Sequence, residues 1–392
     1  MFYQRKIVPA LSRHLKKRQI TVITGMRRTG KTSIVKQLLE DSQRMNKIYI
    51  DLERLDNRLL FREENYDHII HALENRGIRM KEDALLALDE IQLVPEITSV
   101  MKYLYDHFNV KFLVTGSSAF YLKNQFTESL AGRKKIFELA PLDFGEFLSF
   151  KEVPYASQAP ESLSFSENEY NRIKHWYDEF INWGGFPEVV LQQDAEDKHD
   201  LLFDILGSYI HKDIKLLSDF SDEKHLFNLI RMLGSRVATR IDYTKISNLT
   251  GLSRHTVTHY MELFEKSYLI DCIPVLSSRP ETEIVKAQKL FFTDNGLLRI
   301  LADPGSGVLF ENAVFNQLRH LGKINYYALK TGKEIDFILN EKIAFEAKES
   351  PSAHDLRQLD SLSQKSGVGQ RRLIGRYKVQ GFKDFIWGGE IR

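Results

Sequence analysis

At 392 residues, with 28% charged and 43% hydrophobic side chains, the chain has the make-up of a globular protein and the length for two to four domains. Lys+Arg 55 against Asp+Glu 53 leaves a formal charge of +2, so the overall field neither requires nor excludes nucleic acid and any basic surface must be local. The single cysteine, Cys272, excludes an intrachain disulfide, and no apolar run approaches the roughly 18 residues of a membrane helix. With no signal-peptide core in Met1-Phe-Tyr-Gln-Arg-Lys6, the expectation is a cytoplasmic protein with no membrane partner.

Lys and Arg cluster between Arg5 and Arg18 and again at Arg371, Arg372, Arg376 and Lys378, each a solvated face or a local basic patch. The apolar run Ile20-Thr-Val-Ile-Thr24 predicts a strand, and Ser33 to Glu40 carries a helical pattern. Between them Gly25-Met-Arg-Arg-Thr-Gly-Lys-Thr32 has the spacing G-x-x-x-x-G-K-[ST]. That strand–loop–helix context turns backbone N–H groups and a helix N-terminus toward phosphate. Lys31 is expected on the β- and γ-phosphates and the Thr32 hydroxyl on Mg²⁺. Gly25, Arg28, Thr29, Gly30, Lys31 and Thr32 form the expected nucleotide loop.

Further buried strands are predicted at Lys47–Leu52, Leu85–Asp89 and Val110–Thr115, with helices near 66–76 and 96–108 between them. This alternation describes a doubly wound parallel sheet whose ligand lies at the carboxyl ends of the strands. Asp89 and Glu90 close one apolar strand, where Asp89 would hold Mg²⁺ through water and Glu90 would orient or deprotonate the attacking water. That pair favours ATP hydrolysis, and the absence of an Asn-Lys-x-Asp motif argues against GTP. Thr115, Ser117 and Ser118 end the next strand, and a hydroxyl there, Ser117 first, is a γ-phosphate sensor candidate. Arg133 is the candidate arginine finger, acting in its own site or on a neighbouring copy in a homo-oligomer.

The ordered motifs Met26–Thr32, Leu88-Asp89-Glu90-Ile91-Gln92, Thr115-Gly116-Ser117-Ser118, Leu130-Ala131-Gly132-Arg133 and Gly184-Gly185-Phe186-Pro187-Glu188 resemble those of prokaryotic AAA+-type ATPases whose C-terminal half is a domain of unknown function. The resemblance covers nearly the whole chain and implies ATP binding with a fused C-terminal module.

Residues 151–168 are rich in Pro and Ser, which suggests a domain edge, and 169–217 read as helices broken at Gly184-Gly185, a helical lid or linker segment. His225–Val237, Asp242–Leu249 and Ser253–Phe264 read as three helices, followed by strands at Tyr268–Val275 and Lys289–Thr293. Three helices and a β-wing suggest a winged helix-turn-helix, with Arg254, His255, Thr258 and His259 at the end that meets double-stranded DNA, or else a winged helix packed on protein. Glu334–Leu339 and Ile343–Lys348 alternate at strand period around Asn340-Glu-Lys342. With Leu339 opposite Ile343, Asp336 faces Glu346 with Cβ atoms ~5 Å apart, and Lys348 shares that face. Glu311, on a helix beginning near Phe310, could add a third acid.

Asp336, Glu346 and Lys348 resemble the D…ExK residues of PD-(D/E)xK nucleases, which implies a restriction-endonuclease-like α/β domain with a metal on Asp336, Glu346 and Glu311. The expected organisation is therefore α/β: a P-loop ATPase domain at 1–150, a helical segment at 151–222, a winged helix-turn-helix at 223–300 and a nuclease-like domain at 301–392. The first functional reading is an ATPase that binds DNA and cuts it with a divalent metal. The second is a nucleotide-dependent switch whose nuclease-like domain is scaffold.

Overall fold

The computed structural model describes residues 3–116, 130, 132–156, 164–214, 223–277 and 287–392. The chain divides into two compact units. One is Met1–Ala140 with His211–Asp219 and Lys266–Tyr268, and the other is Pro141–Ile210 with Phe220–Glu265 and Leu269–Arg392. Among the described residues no helix is long and apolar enough to cross a membrane.

The first unit is built on five parallel strands: β1 (Ile20–Thr24), β2 (Lys47–Asp51), β3 (Ala84–Asp89), β4 (Val110–Gly116) and β5 (Lys134–Glu138). Their order is β2-β3-β4-β1-β5, so β1 sits where the chain changes direction across the sheet, the position at which open α/β sheets bind ligands. Side chains alternate between two cores. Val22, Leu86, Leu88, Phe112 and Val114 pack on one face with Ile69 and Leu73 of the helix Tyr66–Asn75 and with Val100 and Leu104 of the helix Ile97–His107. Ile23, Leu85, Ala87 and Leu113 pack on the other with Ile34, Val35 and Leu38 of the helix Lys31–Asp41. Three interior strands are buried at every residue, which is why they read as continuous apolar runs. The sequence reading placed no strand at 134–138; β5 is an edge strand whose leading Lys134-Lys135 masks the alternation.

The second unit opens with helices at Phe144–Phe150, Glu167–Trp183, Pro187–Leu191 and Ala195–Ser208. The break between the second and third is the Gly184-Gly185 pair: a Cβ on Gly185 would lie 2.2 Å from the Leu142 carbonyl oxygen, and Gly185 N–H donates to the buried Asp294 carboxylate at 2.7 Å. Three helices follow at Glu223–Gly234, Tyr243–Thr250 and Arg254–Lys266, the second capped by Asp242 and the third by Ser253, which accepts from Thr256 N–H. An antiparallel pair, β6 (Ile270–Ile273) and β7 (Lys289–Phe292), comes next. A second sheet completes the unit: β8 (Ile324–Ala328), β9 (Glu334–Leu339), β10 (Ile343–Lys348), β11 (Gln370–Gly375) and β12 (Ile386–Trp387), in spatial order β12-β11-β10-β9-β8. The helix Ala353–Ser366 buries Leu359 and Leu362 on Ile335, Ile338, Ala344 and Leu373. The helix Ser306–Leu318 stacks Phe315 on Phe291, beside Phe337 of β9.

Candidate functional site

At the carboxyl end of β1 the backbone turns at Gly25, where a Cβ would lie 2.1 Å from the Leu139 carbonyl oxygen, so only glycine fits. Gly30, at φ 96°, caps the helix Lys31–Asp41 in a left-handed conformation that favours glycine. Arg28 is also left-handed at φ 60°. Thr29 donates to Met26 O at 2.8 Å, and the buried Arg5 guanidinium donates to Thr29 O at 2.8 Å and to Ala140 O at 2.8 Å. Arg5 thus braces the loop from the N-terminal basic cluster rather than lying on a solvated face. Lys31 Nζ donates to Gly25 O and Met26 O, both at 2.9 Å, and burial pushes its ammonium below the usual lysine range. A cation held on loop carbonyls at a helix N-terminus is a ready phosphate site.

Asp89 and Glu90 stand where β3 ends, two strands from β1. Thr32 Oγ1 donates to Asp89 at 2.7 Å, as does the Tyr49 hydroxyl at 2.7 Å, and Thr115 Oγ1 also donates to it. Burial, then the Asp89 hydrogen bond, pushes the Tyr49 phenol well above its usual range. Thr115 Oγ1 in turn accepts from Glu90 N–H at 3.0 Å, so this hydroxyl fixes the acid pair to β4. Glu90 is held at φ 58°, its carboxylate accepting from the Gln92 amide. The Thr32 hydroxyl beside the Asp89 carboxylate fits a hydrated Mg²⁺, an ion that keeps several waters and takes few protein ligands. Ser117 and Ser118 lie outside the described residues.

Arg133 is not part of this arrangement. Its carbonyl accepts from Ile20 N–H at the amino end of β1, a strand's length of roughly 13–16 Å from the loop. Its guanidinium is held by Asp106 at 3.1 and 3.2 Å. A contact with the phosphates of its own site is excluded by that placement. Arg133→Ala is expected to leave ATP affinity and dilute-solution kcat unchanged, and to cost about 0–1 kcal/mol of stability for a half-exposed pair. Isothermal titration, steady-state hydrolysis and urea unfolding check it; a fall in kcat that grows with protein concentration would put Arg133 to work on a second copy.

In the second unit β9 and β10 pair with Leu339 opposite Ile343, as their alternation predicts, and the turn takes left-handed Asn340 and Glu341. Asp336 accepts from Ala347 N–H at 3.0 Å, and Glu346 pairs with Lys348 at 2.7 Å. The sequence reading missed a further participant. Lys289 of β7, with 1% of its side chain exposed, places its ammonium 2.8 Å from Glu334, 3.5 Å from Glu311 and 3.5 Å from Asp336. Burial and the neighbouring Asp336 charge raise the Glu311 carboxyl, and the same two causes raise Glu346. A divalent ion on Asp336 would lie within about 6 Å of that ammonium, a repulsion of about 5–6 kcal/mol at an effective dielectric of 20. Among the described residues no group of three or more His, Cys, Asp or Glu is disposed to hold a metal. The expected metal site on Glu311, Asp336 and Glu346 therefore does not fit these side chains, because Lys289 already supplies the cation.

Arg254, His255 and His259 are exposed at the start of the helix Arg254–Lys266, and Thr258 Oγ1 donates back to Arg254 O at 3.0 Å. In the C-terminal basic cluster Arg371 pairs with Asp360, Arg376 with Asp178 and Glu349, and Lys378 with Glu167.

Residues 17–148 match the family model of an AAA domain, and 174–306 and 306–385 match two domains of unknown function, DUF8612 and DUF4143. An uncharacterized protein of Methanocaldococcus jannaschii, MJ1544, is 30% identical over 82% of this chain and 72% of its own length. An uncharacterized protein of Haemophilus influenzae is 28% identical over 86% of this chain and 85% of its own. A Walker-type ATPase of Pyrococcus abyssi, PABY2304, superposes with a TM-score of 0.49 at 15% identity over 76% of this chain and 96% of its own. The chain belongs to one family with the M. jannaschii protein, and its first unit carries an AAA-type P-loop ATPase domain that binds and hydrolyses ATP.

Proposed function

We propose that the chain is an ATP-dependent switch that binds double-stranded DNA through the helix Arg254–Lys266, with the β8–β12 sheet as a scaffold. Within the ATPase unit Lys31 receives the β- and γ-phosphates and the loop N–H groups surround them. Mg²⁺ arriving with ATP would be held by Thr32 and, through water, by Asp89, and when bound it neutralises charge on the phosphates. Glu90, oriented by the Gln92 amide, accepts the proton of the attacking water.

The observation that carries the DNA reading is the exposed trio Arg254, His255 and His259 at the N-terminal end of the third of three helices followed by a β-pair. Side chains at that end of such a helix reach base edges when it enters a major groove. Arg254→Ala is expected to weaken duplex binding by about 1–3 kcal/mol if the guanidinium reads a base edge. Fluorescence anisotropy across salt concentrations tests it: a uniform loss with a shallower salt slope would assign Arg254 to phosphate. Unchanged binding would leave the helix as a protein-packing element.

A second reading, divalent-metal cleavage of DNA by Asp336, Glu346 and Lys348, is disfavoured by the Lys289 ammonium among the acids. Plasmid incubated with the protein and Mg²⁺ or Mn²⁺ is expected to remain supercoiled, and nicking that Asp336→Ala abolishes would restore the nuclease reading.

A further inference from the structure

Residues far along the chain return to the phosphate loop. His211–Asp219 belongs to the same compact unit as the loop, and its described part closes Tyr209–Ile214, a π-helical turn of a kind that often marks functional sites. Asp213, with 2% of its side chain exposed, accepts from Arg27 Nε at 3.1 Å. Arg27 is a residue of the phosphate loop itself, 12% exposed, with the more open Glu53 carboxylate 3.7 Å from its Nη1. A buried carboxylate is thus held by a guanidinium that belongs to the nucleotide site. Its charge also favours the ammonium of Lys31, the cation that the triphosphate needs.

A triphosphate brings several negative charges to this place. A guanidinium makes charge-assisted, often bidentate bonds to phosphate as it does to carboxylate, so the phosphates compete with Asp213 for Arg27. They also repel Asp213 across a poorly solvated space, where Coulomb interactions are weakly screened. The guanidinium has donors enough for both anions but only one positive charge, so each is neutralised less fully than it would be alone.

We propose that Asp213 and Arg27 form a phosphate-sensitive latch, in which nucleotide on the loop draws the Arg27 guanidinium off Asp213 and releases the turn Tyr209–Ile214. The latch rests on nucleotide occupying the 25–32 loop. Linkage makes it reciprocal: whatever ATP does to the turn, fixing the turn does to ATP affinity. The latch opposes binding in the closed state, so ATP binds more weakly than the loop alone would allow. This makes nucleotide affinity a readout of the turn, and the turn leads directly into the chain that follows it.

Hydrogen exchange of the full-length wild type, with and without ATP and Mg²⁺, tests this without any substitution. Amides of 209–214 are expected to exchange faster when nucleotide is bound, while those of β3 and β4 do not. Calorimetric titration of Asp213→Asn, near-isosteric but uncharged, is expected to show tighter ATP binding by about 5–150-fold, the usual span of a coupling between sites, with a smaller gain for ADP. In that variant 209–214 should already exchange fast and nucleotide should add little. Wild type that binds ATP with unchanged or slower exchange at 209–214 overturns the latch alone. A folded Asp213→Asn protein with unchanged or weaker ATP affinity does the same. Wild type that fails to bind ATP at all overturns the nucleotide reading and the latch with it. Should Asp213→Asn not fold, Arg27→Lys, which keeps a cation for Asp213 but not its geometry, is expected to reproduce the faster exchange without nucleotide, and exchange unchanged from wild type would count against the latch.

Discussion

Lys31→Ala is expected to abolish tight ATP binding, and hydrolysis with it. Lys31 Nζ bonds the Gly25 and Met26 carbonyls, which hold the ammonium within the loop expected to take the phosphates. At about 1.5–3 kcal/mol for each hydrogen bond to a charged group, losing two costs on the order of 10²–10⁴-fold in affinity. The fold should survive, because Lys31 opens a helix capped by Gly30 and its neighbours Ile34, Val35 and Leu38 supply the packing. Titration calorimetry with circular dichroism as a fold control checks both statements. The contrasting substitution is Glu90→Gln, which removes a proton acceptor and no phosphate ligand. It is expected to retain ATP and lose about 10²–10⁴-fold in kcat, the usual worth of a positioned general base. Normal turnover by that variant would take Glu90 out of the chemistry.

Some of this architecture was legible in the sequence because it depends on near neighbours. The phosphate loop is eight consecutive residues, and its glycines are dictated by backbone geometry at those positions. The β9–β10 register follows from period-two alternation about a short turn, and the caps at Asp242 and Ser253 are local as well. What was not legible depends on which distant groups meet. Asp213 reaches Arg27 across 186 residues, and nothing in the pattern of either segment announces it. Arg133 illustrates a different gap: motif order placed it after the acid pair, but β5 runs parallel to β1, so its first residues lie at the end of the sheet opposite the loop. Lys289 sits in the short apolar strand β7, where a lone lysine reads as an edge residue, yet three acids from two later elements close around it. Of those three acids the D…ExK pattern holds Asp336 alone, and Lys289, their counter-ion, lies outside it.

That counter-ion sets the second large effect. Lys289→Met keeps most of the aliphatic volume and removes the charge, leaving Glu311, Glu334 and Asp336 facing one another with no ammonium between them. Deleting one partner of a buried ion network costs about 3–5 kcal/mol, because the remaining charges stay desolvated. The loss should depend on pH in a definite direction. Glu311 and Glu346 have carboxyls raised above the ordinary glutamate value of 4.5, so between that value and their raised ones the native state holds more protons than the unfolded chain. Stability therefore falls as pH rises through this window and is greatest at its acid end. Lys289, raised by Asp336 and its neighbours against the opposing effect of burial, stays charged throughout it. Without that ammonium the Glu311 carboxyl holds its proton to still higher pH. The variant should lose little against wild type near the acid end and several times more at the alkaline end, read as urea midpoints across the range. An equal loss at both ends would mean that Lys289 contributes packing alone, and the place it occupies among the acids would then be open to a metal after all.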